Sequence, residues 1–171
     1  MARTRDMQAI HQLVAGYSSG DAITNEARTL QTIFRGWGCP SEIYCEPRRI
    51  LPELRGEVRD VADCRADLRP EDIVLLHLST GSIVNEVFPE LPGRKALLYH
   101  NITPPDYFRG LQEEIARVLE RGREQARALA GIAEVVMADS AFNASELRDW
   151  GYGEAAVLPL VLDLPGLCGQ R

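Results

Sequence analysis

The stretch that most narrows the fold is Asp72 to Ser79, DIVLLHLS, an apolar run of strand length without alternation. A strand with one wet face alternates apolar and polar side chains. A strand covered on both faces reads as continuous hydrophobics, the pattern of a parallel sheet between helices. A second such run, Ala96 to Tyr99, ends in His100 and Asn101 and then breaks at Ile102-Thr103 into Pro104-Pro105. Prolines cannot extend a central ladder, and they restrict the residues before them. Ligands of open parallel sheets sit beyond the carboxyl ends of the strands, so the residues after these runs are the first candidates for a site.

The rest of the chain alternates strand and helix. Ala9 to Ala15 reads as the first strand, followed by the loop Gly16-Tyr17-Ser18-Ser19-Gly20 and a helix with Ile23, Ala27, Leu30, Phe34 and Trp37 on one face. Those residues recur at three and four positions, as an amphipathic helix requires. Asp21 is placed to cap that helix and Gly38 to end it in a left-handed turn. Ser41 to Cys45 is a short strand, and residues 46 to 70 are punctuated by Pro47, Pro52, Gly56 and Pro70, with one helical turn or two around Val58 to Cys64. After DIVLLHLS, a helical stretch from Ser82 to Leu91 stops at Pro92-Gly93.

A long amphipathic helix follows the proline loop, with Leu111, Ile115, Val118, Gly122, Ala126 and Leu129 on its buried face and Glu113 paired with Arg117 on the other. Glu134 to Asp139 is a fifth strand, Ser140 caps a helix to Trp150 that Gly151 ends, and Ala155 to Leu162 is a sixth strand. The alternation predicts one α/β domain with a doubly wound, Rossmann-like parallel sheet.

At 171 residues the chain is long enough for a substantial core, and its 45% apolar and 26% charged residues are those of a globular protein. The net charge of −6 gives no sign of a nucleic-acid groove, and the arginines of Arg48-Arg49 and Arg117 to Arg127, interleaved with Glu, read as solvated faces. The start MARTRD leads into the alternating AIHQLVA rather than a signal-peptide core. Cys39, Cys45, Cys64 and Cys168 form no C-x-x-C pair and have no His at metal spacing. Reduced thiols and a cytoplasmic setting are the expectation, with a peripheral place at the inner membrane face as the second option, and no metal.

Four places carry chemistry. The Gly16 to Gly20 loop allows a tight turn whose helix-start amides can hold a phosphate, and Gly20 and Asp21 are its ligand-facing candidates. The same loop matches G-x-S-x-G, which makes Ser18 the nucleophile of a serine hydrolase, but that order needs an acid and then a His downstream, and the last His is His100. A bare structural turn is the third reading of the loop. His77 lies inside an apolar run and reads first as a satisfied core residue, with Ser79, Thr80 and Gly81 beyond it better placed for a ligand. His100, with Asn101, is the candidate catalytic residue. Ser140 and Asn143 stand at a helix start, where capping and anion binding are both open. His11 is expected on a flank of the sheet.

Taken together, SSGDAITNEARTL, GCPSEIYCE, DIVLLHLSTGS, KALLYHNITPPDYF, MADSAFNASELRDWGY and VLPLVLD resemble, in order and spacing, the amino-terminal domain of family 4 glycosyltransferases, which have the two-domain GT-B fold. The resemblance implies sugar transfer with retention from a nucleotide-sugar donor to an acceptor, with no further cofactor. It implies that Gly20 and Asp21 approach the donor diphosphate and acceptor, and that His100 lies near the transferred sugar. Ser79, Gly81, Asn101, Ser140 and Asn143 complete the expected binding set. Where the family's linker reads P-N-G-V-D, this chain has Pro159-Leu160-Val161-Leu162-Asp163. Residues 159–171 are expected to begin the linker to a carboxyl-terminal donor-binding domain, without which this half is inactive. The alternative from another class is a non-catalytic Rossmann-like module binding a small anion or a partner protein. An apolar surface around Val157 to Leu164 is expected to be sticky enough to support a homodimer.

Overall fold

The computed structural model describes residues 7–161. Strands β1 (Ile10–Val14), β2 (Ile43–Cys45), β3 (Arg59–Asp60), β4 (Ile73–Leu78), β5 (Arg94–Tyr99), β6 (Val135–Ala138) and β7 (Ala156–Val157) form one sheet in the order β3-β2-β1-β4-β5-β6-β7. Every pairing is parallel. Helices α1 (Ala22–Gly36), α2 (Cys64–Asp67), α3 (Ile83–Val87), α4 (Glu113–Ala128) and α5 (Ala141–Asp149) connect them. The fold is the expected Rossmann-like α/β sheet, and the order in which its strands are added turns back between β1 and β4.

The two-residue alternation of each strand divides the core. Leu76, Leu78, Leu97 and Tyr99 pack with Phe88, Ala126 and Leu147 on one face. Leu75, Ala96 and Leu98 pack with Leu30 and Phe34 of α1 on the other. On that second face the apolar pattern ends in polar side chains: Gln12, opposite Leu75, and His77, opposite Val14 and Leu98, are both fully buried.

Several boundaries differ from expectation. The sheet has a seventh strand: Arg59–Asp60 pairs with Tyr44 and Cys45, although nothing in its two charged residues reads as a strand. The predicted strand from Ala155 to Leu162 shrinks to Ala156–Val157, because an edge with one neighbour has little to hold it, and Leu162 lies outside the described residues. Gly122, Ala126 and Leu129 are buried as expected, with Ala116 beside them, but Leu111, which precedes α4, and Ile115, in its first turn, are exposed, as is Tyr107. Glu113 does not pair with Arg117; its carboxylate accepts the Gly110 N–H at 2.6 Å. Arg123 is not solvated. Its guanidinium donates to Ile102 O and Glu146 and lies 4.7 Å from the Trp150 ring.

Of the expected apolar surface, Val157 and Leu160 are exposed, while Leu158 and Val161 pack against the α1-side core; residues 162–164 lie outside the described residues. Burial raises the thiols of Cys45 and Cys64 to about 12, which leaves them unreactive, and Cys39 is also free. No described helix is long and apolar enough to cross a membrane.

Candidate functional site

A cleft of about 420 Å³ opens where β1 and β4 end, at the point where the sheet's strand order turns back. Ala15 and Gly16 floor one side, Ser79 and Thr80 the other, and Ser18, Asp21 and Arg49 supply polar atoms. Tyr17, in the middle of the loop, is buried; its hydroxyl joins Arg28 and Glu57, and its main chain bridges to Ile50. The loop is thereby anchored from behind while Ser18 faces the cleft. Gly20 takes the left-handed φ of +75° that turns the chain into α1.

Asp21 caps α1 as expected, accepting the Thr24 N–H at 2.7 Å and the Thr24 hydroxyl at 2.8 Å. That cap has a chemical consequence. A carboxylate already occupies the helix start, so the place is suited to hydroxyl groups that donate to it rather than to a phosphate. Asp21→Ala removes two hydrogen bonds and is expected to cost about 1 kcal/mol. Asp21→Asn keeps an acceptor and should cost much less; equal losses for both in chemical denaturation would mean the cap is not what stabilises this turn.

The other expected site residues divide into those at the cleft and those beside it. Ser79 lines it. Gly81 does not face it: a Cβ there would run into the Val118 carbonyl and lie 3.0 Å from Gly122 N, so this glycine admits α4 rather than a ligand. Asn101 is the sole described non-glycine residue with positive φ, at 73°. Its amide donates to Asn143 Oδ1, and Asn143 in turn donates to Asp139. Ser140 caps α5 through the Asn143 N–H. Asn101, Asn143 and Ser140 thus form one polar seam at the ends of β5 and β6. Strained backbone of this kind collects at functional sites.

His100 does not line the cleft. Its side chain is only 2% exposed and lies under α1 beside His77 and Glu26. The two imidazoles are nearly parallel, with His77 Nδ1 3.0 Å from His100 Nε2. The proton positions follow from one fixed amide. Gln12 Nε2 donates to Ala27 O at 3.0 Å, which aims Gln12 Oε1 at His77 Nε2, 2.9 Å away. His77 therefore carries its proton on Nε2 and accepts on Nδ1, and His100 donates from Nε2. His100 Nδ1 is left bare, buried and unpartnered.

Glu26 completes the cluster. Its Oε2 is 3.5 Å from His100 Nε2 and 4.0 Å from His77 Nδ1, with no hydrogen bond of its own, while Oε1 accepts the Val161 N–H. Burial holds His77 well below its usual value and His100 down at about 4, against the pull of Asp139 and Asp21; burial pushes Glu26 up. Both imidazoles are neutral near pH 7.

Sequence reasoning missed Glu26 and Gln12. Glu26 falls in the apolar stripe of α1, three residues after Ile23 and one before Ala27, and a carboxylate on a helix's buried face was the available signal. His77 is the satisfied core histidine expected. His11 is buried by β2, where its Nδ1 accepts the Glu42 N–H. Ser18 has no histidine partner among the described residues, since His77 and His100 are bound to each other, which leaves a Ser18 nucleophile without a base. No family model and no curated protein matches the chain.

Proposed function

We propose that the chain is the acceptor-side, Rossmann-like half of a retaining glycosyltransferase. The observation that carries this reading is the cleft at the β1/β4 crossover. Asp21, Ser18, Ser79 and Thr80 line it with acceptors and hydroxyls and Arg49 with a cation. A sugar offers hydroxyls that donate and accept in turn, and a carboxylate paired with hydroxyl groups suits that chemistry better than it suits a phosphate. A nucleotide-sugar's diphosphate finds its cation in Arg49, with a donor-binding domain supplying the remaining contacts. Such fixed charges around the departing diphosphate are usually the largest share of catalysis.

His100 and Asn101 have a different part in this reading from the one their sequence position implied. They position the end of β5: the His100 N–H donates to Leu78 O at 2.9 Å, and the strained Asn101 turn is tied to Asn143. His100 is a positioning residue rather than a group in contact with the sugar.

The test is sugar transfer by the natural gene product, assayed against a panel of nucleoside-diphosphate sugars. Transfer with retention is expected, and Asp21→Asn and Ser79→Ala should each lower it. The charged contact at Asp21 is expected to matter by about 10- to 100-fold. Ligand binding in the cleft without transfer from any donor would replace this reading with a non-catalytic binding module.

A further inference from the structure

Two buried polar atoms among the described side chains of the cluster have no partner: Glu26 Oε2 and His100 Nδ1. An orphaned buried acceptor costs about 1–3 kcal/mol, and two in one cluster call for an explanation. Each has a charged or ring neighbour just out of reach. Glu26 Oε2, His77 Nδ1 and His100 Nε2 lie within 4.8 Å of one another, at 3.0, 3.5 and 4.0 Å pairwise. His100 Nδ1 is 4.0 Å from Asp139 Oδ2.

We propose that Glu26, His77 and His100 form a binding site for a divalent cation of the zinc type. Nitrogen and oxygen ligands at about 2.0–2.2 Å in a tetrahedron stand about 3.3–3.6 Å apart, close to the spacing of these three atoms. Two histidines and a glutamate are an established donor set for such an ion, with a water as the fourth ligand. The surroundings fit as well. A ligating histidine donates its other N–H to a carbonyl or carboxylate, which fixes the ring. His77 already does so, to a Gln12 amide itself held by Ala27 O.

His100 requires one change. With the cation on Nε2, its proton moves to Nδ1, the atom now orphaned, and faces the Asp139 carboxylate. Cation binding therefore gives both orphaned atoms partners at once. Charge also closes: two neutral imidazoles with the Glu26 and Asp139 carboxylates balance a divalent ion. The cluster belongs to the α1 face of the sheet rather than to the cleft, so this inference does not depend on sugar transfer.

The experiment is calorimetric titration of the dialysed full chain with ZnCl₂, and cobalt(II) absorption to report the ligand type. One ion per chain is expected, with a tetrahedral nitrogen/oxygen cobalt spectrum and a rise in melting temperature. Glu26→Gln should weaken binding at least about 10-fold and reduce the thermal shift accordingly. Asp139→Asn, outside the ligand set, should weaken it about 10- to 100-fold. His11→Gln should leave binding unchanged. Absence of stoichiometric binding, a thiolate-to-cobalt band, or unchanged affinity in both Glu26→Gln and Asp139→Asn would each overturn the site. If Glu26→Gln fails to fold, Asp139→Asn alone decides.

Discussion

Replacing Gly122 by alanine is expected to destabilise the protein by about 1–2 kcal/mol, the reverse of what a glycine in a helix usually predicts. At an exposed helical site the change would gain up to about 1 kcal/mol, because alanine restricts the unfolded chain and favours helix. At Gly122 a Cβ would stand 2.5 Å from Gly81 N and 2.8 Å from the Thr80 carbonyl carbon. Both are backbone atoms at the end of β4, with no rotamer to yield. Overpacking against rigid neighbours costs about 1–3 kcal/mol, and here it outweighs the propensity gain. Gly122→Val should cost more still and leave little folded protein. Urea unfolding monitored by circular dichroism gives the answer. A neutral or stabilising alanine would mean that α4 rides further from the Thr80–Gly81 turn than the backbone distances state. Because Thr80 lines the cleft, a Gly122→Ala protein that folds with this turn pushed aside should also bind ligand there less well.

The second large effect belongs to Asp72. Its carboxylate is 1% exposed and accepts the Ala9 N–H at 2.9 Å, the Arg69 N–H at 2.9 Å and the Arg69 guanidinium at 2.9 Å. It therefore ties the start of β1 to the start of β4 at the sheet's centre. Burial alone would raise the carboxyl, but the hydrogen bonds from Arg69 and the Ala9 amide outweigh it and hold the group below its usual range. Asp72→Asn should cost about 2–3 kcal/mol at pH 7, mostly from charge-assisted hydrogen bonds, with the Arg69 share reduced because that side chain is 37% exposed.

The sign of the pH dependence follows. A carboxyl lowered by folding stabilises the native state in full above its unfolded value of about 3.9, and that contribution fades as pH falls through the folded value. The gap between the parent protein and Asp72→Asn should thus be constant from pH 7 to about 5 and narrow below about 4. A gap that stays constant down to pH 3 would show that Asp72 acts by shape rather than by charge.

These positions mark what the sequence could and could not disclose. The runs at 72–79 and 96–99 announced a buried parallel sheet because they are apolar without alternation, and no tertiary knowledge is needed to see that. The cap at Asp21 and the left-handed glycines Gly38 and Gly151 were equally legible, since local geometry alone selects them. Arg59–Asp60 was not, because two polar residues become a strand only when Tyr44 and Cys45 already offer an edge. Nor was the pairing of Gly81 with Gly122, which exists only once α4 crosses the β4 turn.

The cluster under α1 was hidden for the same reason. Residues 26, 77 and 100 share no spacing that a motif would recognise, and only the register of β4 with β5 and the packing of α1 over them bring the three together. His100 shows the limit most plainly: its place at a strand end was readable, but the direction of its ring was set by Glu26 and His77.

The central pair of strands also has a history in time. Ala9 and Asp72 are 63 residues apart, yet they meet where β1 joins β4. At about 5–20 residues per second of synthesis, β1 waits roughly 3–13 s for its neighbour to be made. Through that interval one edge of an apolar strand is unpaired, open to the wrong partner. Until β4 is made, that edge is where a newborn chain is open to mispairing.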